Sequence, residues 1–401
     1  MTELESKGPL AGIRVLELGS LIAGPYAGAM FAQFGAEVIK IEPPKIGDPL
    51  RKWRKMDGDT SLWWYAQSRN KKSLTLNLKD PQAQAVVRDL VATADVVVEN
   101  FRPGTLEKWS LGWDTLSAVN RKLIMLRVSG YGQTGPSASK PGFAAIAEAL
   151  GGLRYLIGYP DRAPVRTGVS IGDTLASLYG VIGVLMALRH AAATGEGQVV
   201  DVSLVESVLA VTESLLPEYG ADGTVRERTG SSLPGIAPSN TYQTRDGRYL
   251  VIAANGDSIF QRLMHAIGRS DVAEDPRFLH NDGRAKDSDE LDQILGEWSG
   301  SVDLAEALAI LEEVSVPASG INSVAEVFAD PQLKARGAIE QHQLQSGGQL
   351  YMPAPVPRLT KTPGVTRWLG PQLGEHNAEI LTELGISADA ASKITGLDDS
   401  A

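Results

Sequence analysis

The stretch 13–42, IRVLELGSLIAGPYAGAMFAQFGAEVIKIE, decides the fold. IRVLEL reads as a strand with apolar alternation, and AEVIKIE as a second. Between them LIAGPYAGAMFAQF runs from a small-residue loop into a helix. Pro25 suits the first turn, where its missing N–H leaves nothing unsatisfied. A strand–helix–strand unit is the building block of a parallel sheet covered by helices. Gly19, Gly24 and Gly28 follow the first strand. Glu42 ends the second, where a dinucleotide-binding fold places its ribose-binding acid. The spacing is wrong for that use. G-x4-G-x3-G lacks the tight first turn and the close pyrophosphate approach of G-x-G-x-x-G. Small residues that let a helix pack close to the sheet are the better reading. An NAD-dependent oxidoreductase stands only as an alternative from another class.

The alternation continues outward. KSLTLNL (72–78), DVVVEN (95–100) and KLIMLRVSG (122–130) read as strands. DPQAQAVVRDLVATA (80–94) reads as an amphipathic helix with Asp80 as N-cap and Pro81 in its first turn. The segment 173–191, DTLASLYGVIGVLMALRHA, is apolar nearly all round, the pattern of a buried helix rather than a surface one. GQVVDVSLVES follows as a strand entering another helix. Residues 216–240 turn rich in Gly, Pro and Ser, which predicts a long connection into a second domain. That domain opens with a hairpin, TYQTRDGRYLVIAA, turning at Asp246-Gly247, and continues in amphipathic helices to about 325. A tail has turns at YMPAPVPRL and a last helix, EHNAEILTELG. The fold class expected is α/β: a Rossmann-like large domain with a parallel sheet, plus a smaller α+β domain.

Bulk properties narrow the function. With 401 residues, 43% hydrophobic and 21% charged, the chain can bury a large core in two or three domains. A net charge of −10 argues against nucleic acid or anionic membrane as the main partner. It leaves room for a small anionic substrate, which needs only a few local cations. The absence of cysteine excludes disulfides, thiolate catalysis and Cys-ligated metals. His190, His265, His280, His342 and His376 show no metal-ligand spacing, so no metal is expected. MTELESKGPLAG at the start is acidic and polar, without a secretory pattern. The strongly apolar run Leu178–Leu188 is short of the roughly 20 residues of a membrane span. A cytoplasmic location is expected, or an organelle matrix if a targeting segment has been removed.

Three places could carry chemistry. SRNKKSLTL puts Arg69, Lys71 and Lys72 in a loop-like position before a strand, where cations could meet a phosphorylated ligand; taken alone, a solvated basic turn is the favoured reading. VVVENFRPGTLEKWSLG puts Asn100 and Phe101 at a strand's C-terminal end, where ligands of open α/β sheets bind. Phe101 could stack on a purine and Lys108 reach a phosphate, against readings of Asn100 as a turn former and Phe101 as core. Asp173 follows Gly172 and opens the most hydrophobic helix. A helix N-cap worth about 1 kcal/mol would account for it. Catalysis is compatible with that role. A carboxylate at a helix N-terminus is held ionised by the dipole and free amides, as an acyl-transferring nucleophile must be. Flanking glycines would admit backbone amides to a developing oxyanion.

Together the pieces resemble the class III (CaiB/BaiF) CoA-transferases. The resemblance rests on PLAGIRVLELGSLIAGPYAGAMFAQFGAEVIKIEPPKIGDP (9–49), NKKSLTLNLK (70–79), ADVVVENFRPGTLEKWSLG (94–112), VSGYGQTGP (128–136), VSIGDTLASLYGVIGVLMAL (169–188) and TGEGQVVDVSLVES (194–207). Shorter matches follow at 274–278, 328–337 and 373–381. It implies that Asp173 attacks an acyl-CoA thioester, giving a mixed anhydride and then an aspartyl-CoA thioester, with no cofactor beyond CoA. It implies that Asn70, Lys71, Asn100, Phe101 and Lys108 face the nucleotide end of CoA. It implies ring-like monomers in an interlocked homodimer. The large domain would take 1–200 and a return segment 326–401, with a linker at 201–225 and the small domain at 226–325. Ile22 stands where formyl-CoA transferase has a glutamine, and Pro43 where it has an arginine on CoA, which sets the chain apart from that branch. The 2-methylacyl-CoA racemases of the family carry Gly-His-Asp. Here the triplet is Gly142-Phe143-Ala144, and phenylalanine carries no proton. A non-catalytic CoA-binding protein would be expected to lose Asp173, which is present. One of Arg226 and Arg228, beside a glycine-containing turn at Gly235, is read as binding a distal carboxylate, with surface arginines in a linker as an equally good reading. On the carboxylate reading, the expected donor is succinyl-CoA and the expected acceptor a C4–C5 dicarboxylate. Acyl-CoA and carboxylic acids are the expected partners, not nucleic acid or membrane.

Overall fold

The computed structural model, which describes residues 8–396, arranges the alternating segments into a six-stranded sheet. Its strands are β1 Arg14–Glu17, β2 Glu37–Glu42, β3 Lys71–Thr75, β4 Val96–Glu99, β5 Ile124–Ser129 and β6 Val199–Ser203. Their order is β3-β2-β1-β4-β5-β6, and every neighbouring pair is parallel. This is the doubly wound order, in which the chain moves outward one way from β1 and the other way from β4. The connections leaving β1 and β4 therefore diverge, and a crevice opens at the carboxyl ends of these two strands. Valines 96–98 are fully buried, because helices cover both faces, and such strands read as continuous apolar runs.

The helices that matter here are α1 Ala23–Gln33, α2 Pro81–Val91, α3 Ala144–Leu150, α4 Ile171–Thr194 and α5 Leu204–Leu209. Asp80 caps α2, its carboxylate accepting from Gln82 N at 2.8 Å, and Pro81 follows it. On one face of the sheet α1 and α4 pack over Val15, Val98, Leu126 and Val128. On the other, α2 packs over Leu16, Val97 and Met125.

Helix α4 departs from expectation. It has 24 residues, not the short run Leu178–Leu188, and is long and apolar enough to cross a membrane by length and composition. Nor is it buried all round. Ala176, Ser177, Gly180, Val181, Val184 and Ala187 face the protein. A Cβ on Gly183 would come within 2.6 Å of Val200 on β6, so glycine there sets how closely helix and sheet approach. The opposite face exposes Leu178, Tyr179, Ile182, Leu185 and Met186, the last at 68%.

Beyond the sheet, β7 Ser239–Gln243 and β8 Tyr249–Ala253 form the hairpin turning at Asp246-Gly247, and β9 Ala318–Gly320 adds to it. The connection before it is not irregular throughout, since Leu215–Asp222 is helical. In the tail, YMPAPVPRL is not only turns. Its first residues end β11 Gln349–Pro353, which pairs antiparallel with β10 Ile339–Gln343. The helix at EHNAEILTELG, α6 Asn377–Glu383, is followed by another at Ala388–Thr395.

The chain divides into two compact units. One takes Met1–Leu153, Thr167–Pro217 and Gly337–Ala401; the other takes Arg154–Arg166 and Glu218–Arg336. Within the first, the late segment is strapped onto the early sheet. Pro371 O accepts from Trp64 Nε1 and Arg51, His376 N donates to Ser73 O, and Thr75 N donates to Asn377 Oδ1 across 302 residues.

Candidate active site

Ser170, with no side-chain cap, precedes α4; Ile171 and Gly172 are its first residues, and Asp173 is in its first turn. The helix thus begins earlier than Asp173, which is not its N-cap. The carboxylate nevertheless sits half-buried at the positive end of a long helix. A Cβ on Gly172 would come within 3.2 Å of Ala144 Cβ, so the triplet Gly142-Phe143-Ala144 lies beside this turn. Phe143, 69% exposed, leads into α3. Neither Phe143 nor Ala144 can exchange a proton.

Next to α4 lies the loop joining β1 to α1, at the crevice. It is held by buried charge. Glu17 and Lys40 are register partners on β1 and β2. Lys40 Nζ lies 2.9 Å from Glu17 Oε1, 2.8 Å from Asp48 Oδ2 and 2.9 Å from Gly19 O. Lys71 Nζ lies 2.7 Å from Glu17 Oε2 and 2.7 Å from Pro25 O. Asp48 accepts from Leu21 N at 3.1 Å, and Gln67 Nε2 donates to Leu21 O at 2.9 Å. Leu21 is held at φ 65°, a left-handed conformation that a leucine adopts only under such constraint. Burial presses the Glu17 and Asp48 pKa values upward, but the ammonium groups prevail and hold both below the ordinary carboxylate range. Burial lowers Lys40 less than Asp48, Glu17 and Glu42 raise it, whereas at Lys71 burial prevails and the pKa falls.

The glycines after β1 serve this network. A Cβ on Gly28 would lie 1.9 Å from Glu17 Oε2, and one on Gly19 would lie 2.4 Å from Asn100 Oδ1. They admit side chains of the sheet rather than a pyrophosphate. Glu42, at the ribose-acid position, is buried in a two-pronged pair with Arg51.

The residues expected at the nucleotide end fall into two groups. At the crevice, Asn100 donates to Ser20 O and accepts from Ser20 N, both at 2.9 Å, fastening the loops after β1 and β4 together. Phe101 stands edge-on to Trp109 at 5.2 Å and packs partly into the core. Lys108 is exposed, in the short helical turn Thr105–Lys108. Glu99 braces this region, accepting from Phe101 N and Arg127 Nε at 2.7 Å, while Arg127 also holds Glu107. Burial carries Glu99 up to about 7 in spite of Arg127.

Asn70 and Lys71 require a correction. Neither sits in a solvated loop: both are buried, and Lys71 opens β3. Asn70, at φ 61°, donates to Ala32 O and Val365 O and accepts from Arg367 N. Lys71 spends its ammonium on Glu17. Of the neighbouring cations, Lys72 pairs with Glu37 and Glu379, and Arg69 donates to Pro353 O. In the second unit, neither arginine of the predicted carboxylate site stands free. Arg226 pairs with Glu218 at 2.5 Å. Arg228 donates to Tyr155 O at 2.9 Å and lies over the Tyr155 ring. Gly235, at φ 77°, accepts from Asn281 Nδ2. Sequence reasoning missed Glu17, Lys40, Asp48 and Ser177. The available signal, for Glu17 and Lys40 alone, was a charge among the apolar residues of each of the first two strands.

An all-parallel doubly wound sheet, a crevice at its switch point and a carboxylate in the first turn of a neighbouring apolar helix define an α/β enzyme suited to acyl chemistry. The chain belongs to CoA-transferase family III, whose family model matches residues 10–377, and it is a CoA-transferase. It is 49% identical over 383 residues to a succinyl-CoA–D-citramalate CoA-transferase of Chloroflexus aurantiacus, covering 95% of each chain. It is 45% identical to the beta subunit of a succinyl-CoA–L-malate CoA-transferase of the same organism, covering 94% of each. A CaiB/BaiF family protein from Brucella suis superposes with a TM-score of 0.83 at 36% identity, over 94% of this chain and 100% of that one.

Proposed function

We propose that this enzyme moves CoA from succinyl-CoA to a C4–C5 dicarboxylic acid such as malate or citramalate, with Asp173 as nucleophile. A carboxylate oxygen of Asp173 attacks the thioester carbonyl, the C–S bond breaks, and a mixed anhydride forms as CoA thiolate leaves. The thiolate then attacks the aspartyl carbonyl, releasing succinate and leaving CoA as a thioester on Asp173. The acceptor carboxylate attacks that thioester, and thiolate departs again. Its return to the acceptor's acyl carbon frees both the new CoA ester and Asp173. The first attack needs an ionised Asp173 carboxylate, and every later step needs the aspartyl group held in place. The observation carrying the reading is the position of Asp173 in the first turn of α4, where the helix favours its charge.

Asn100 and Phe101, which follow β4 at the switch point, and the exposed Lys108 in the turn after them are assigned to the nucleotide end, a reading supported by the rule that ligands of open α/β sheets bind there. Arg226 or Arg228 is the cation of the second unit assigned to a distal carboxylate, which would compete with Glu218 for Arg226 or share Arg228 with Tyr155 O. The exposed apolar face of α4 supports a homodimer, since a face of this kind is normally covered by a partner. The reading includes a cytoplasmic location.

The test is incubation of native and Asp173→Asn protein with succinyl-CoA, followed by intact-mass measurement and hydroxylamine trapping. Native protein gains CoA as an adduct and hydroxamate at Asp173, and passes CoA to malate or citramalate. An Asp173→Asn protein, checked for deamidation, that exchanges thioesters at the native rate overturns the assignment.

A further inference from the structure

We propose that Ser177 is a positioning residue, which fixes Asp173 at its working distance from the β1–α1 loop. The inference rests on Asp173 being the nucleophile. Ser177 lies four residues after Asp173, one turn along the same face of α4, and is fully buried. Its Oγ is 2.7 Å from Asp173 O, the back-bond that a helical serine commonly makes. It is also 2.6 Å from Ala23 O, at the first residue of α1. The hydroxyl has one proton, so the two carbonyls share it. One group thereby binds the backbone of the nucleophile to the backbone that ends the loop.

The opposite side of the loop is already immobilised. Lys40 holds Gly19 O, Asn100 holds Ser20, Asp48 and Gln67 hold Leu21, and Lys71 holds Pro25 O. These side chains come from the sheet and its connections, not from α4. Ser177 carries their rigidity to the helix bearing Asp173 through its bond to Ala23 O. Without it, the first turn of α4 can shift relative to a loop that stays where it is. The aspartyl intermediates demand alignment, and a shift on the order of 1 Å costs up to about a hundredfold in rate. Substrate binding needs no such alignment, so the loss falls on kcat.

The experiment compares native, Ser177→Ala, Ser177→Thr and Asp173→Asn proteins in CoA transfer from succinyl-CoA, with kcat and KM separated. Thermal unfolding confirms that each is folded at the assay temperature. Ser177→Ala is expected to lose about tenfold or more in kcat, with KM within about twofold of native. Ser177→Thr, which restores the hydroxyl, should recover most of that loss. The proposal is overturned by native kcat in Ser177→Ala, by an effect confined to KM, or by a threonine variant no better than alanine. If the alanine variant does not fold, the threonine variant decides alone, and near-native kcat is required of it. Continued exchange by Asp173→Asn brings down the nucleophile assignment itself. An inactive Asp173→Asn beside a fully active Ser177→Ala brings down only the role of Ser177.

Discussion

Replacing Lys71 by methionine separates the two roles open to this lysine. The side chain is wholly buried, with its ammonium 2.7 Å from both Glu17 Oε2 and Pro25 O. Methionine fills similar space without charge. Glu17 would keep Lys40 at 2.9 Å, but Lys40 must also serve Asp48 at 2.8 Å, so one ammonium would face two buried carboxylates. Removing one partner of a buried pair costs about 3–5 kcal/mol, and the surviving Lys40 puts this case at the lower end, about 3 kcal/mol. For 401 residues unfolding together, the unfolding entropy is about 0.8 kcal/mol/K, so the midpoint should fall by about 4 °C. Calorimetry at pH 7 reads the shift, and steady-state kinetics below the transition reads KM for acyl-CoA, which should stay within about twofold. The deficit should also shrink in acid. Glu17 and Asp48 have depressed native pKa values, so their contribution is present above the ordinary carboxylate range and lost as pH falls through those values. A midpoint within about 1 °C of native, joined to a tenfold rise in KM, would mean that Lys71 contacts CoA, and the buried-network account would fail.

Three further outcomes follow from the geometry. Gly28→Ala should destabilise by about 2–3 kcal/mol because its Cβ meets Glu17 Oε2, reversing the usual helix gain of about 1 kcal/mol; Gly24→Ala, with 3.5 Å of room, is the control in the same urea titration. Burial raises Glu99 from 4.5 to about 7, so the native state holds more protons than the unfolded one across that window. A stabilising contribution present below pH 4.5 is lost as pH rises through about 7. Glu99→Gln lacks it and should gain up to about 3 kcal/mol relative to native over that range; parallel stability curves would contradict this. If native protein sediments as the proposed homodimer, charging the open face of α4 with Ile182→Glu and Met186→Glu should leave the chain folded, since both are exposed, but yield monomers. An undiminished dimer places the contact elsewhere.

Much of the sheet was legible because its strands and helices alternate with local signals. Asp80-Pro81 marked the start of α2, and Asp246-Gly247 marked the hairpin. Helix α4 was misread for a physical reason: its open face is as apolar as its buried face, so no periodicity distinguishes them. Hairpin β10–β11 escaped because IEQHQ is mostly polar and only partly buried, while QLYMP alternates buried Leu350 and Met352 with exposed residues and ends at a proline that reads as a turn. Asp173 stood out through its place before an apolar run, although the helix begins earlier. The burial of Lys71 could not be read locally, because its partner Glu17 lies on another strand and the two meet only when the sheet assembles. The same holds for Ser177 and Ala23, which are brought together across 154 residues.

The strap from the tail to β3 also constrains the protein's birth on the ribosome. Thr75 emerges long before Asn377, and the separation of 302 residues corresponds to about 15–60 s at ordinary elongation rates. Throughout that interval β3, paired on one side with β2, lacks the tail that covers its outer edge, leaving an open strand edge that chaperones would be expected to shield. Translation speed, and not only the sequence, would then influence the yield of active enzyme.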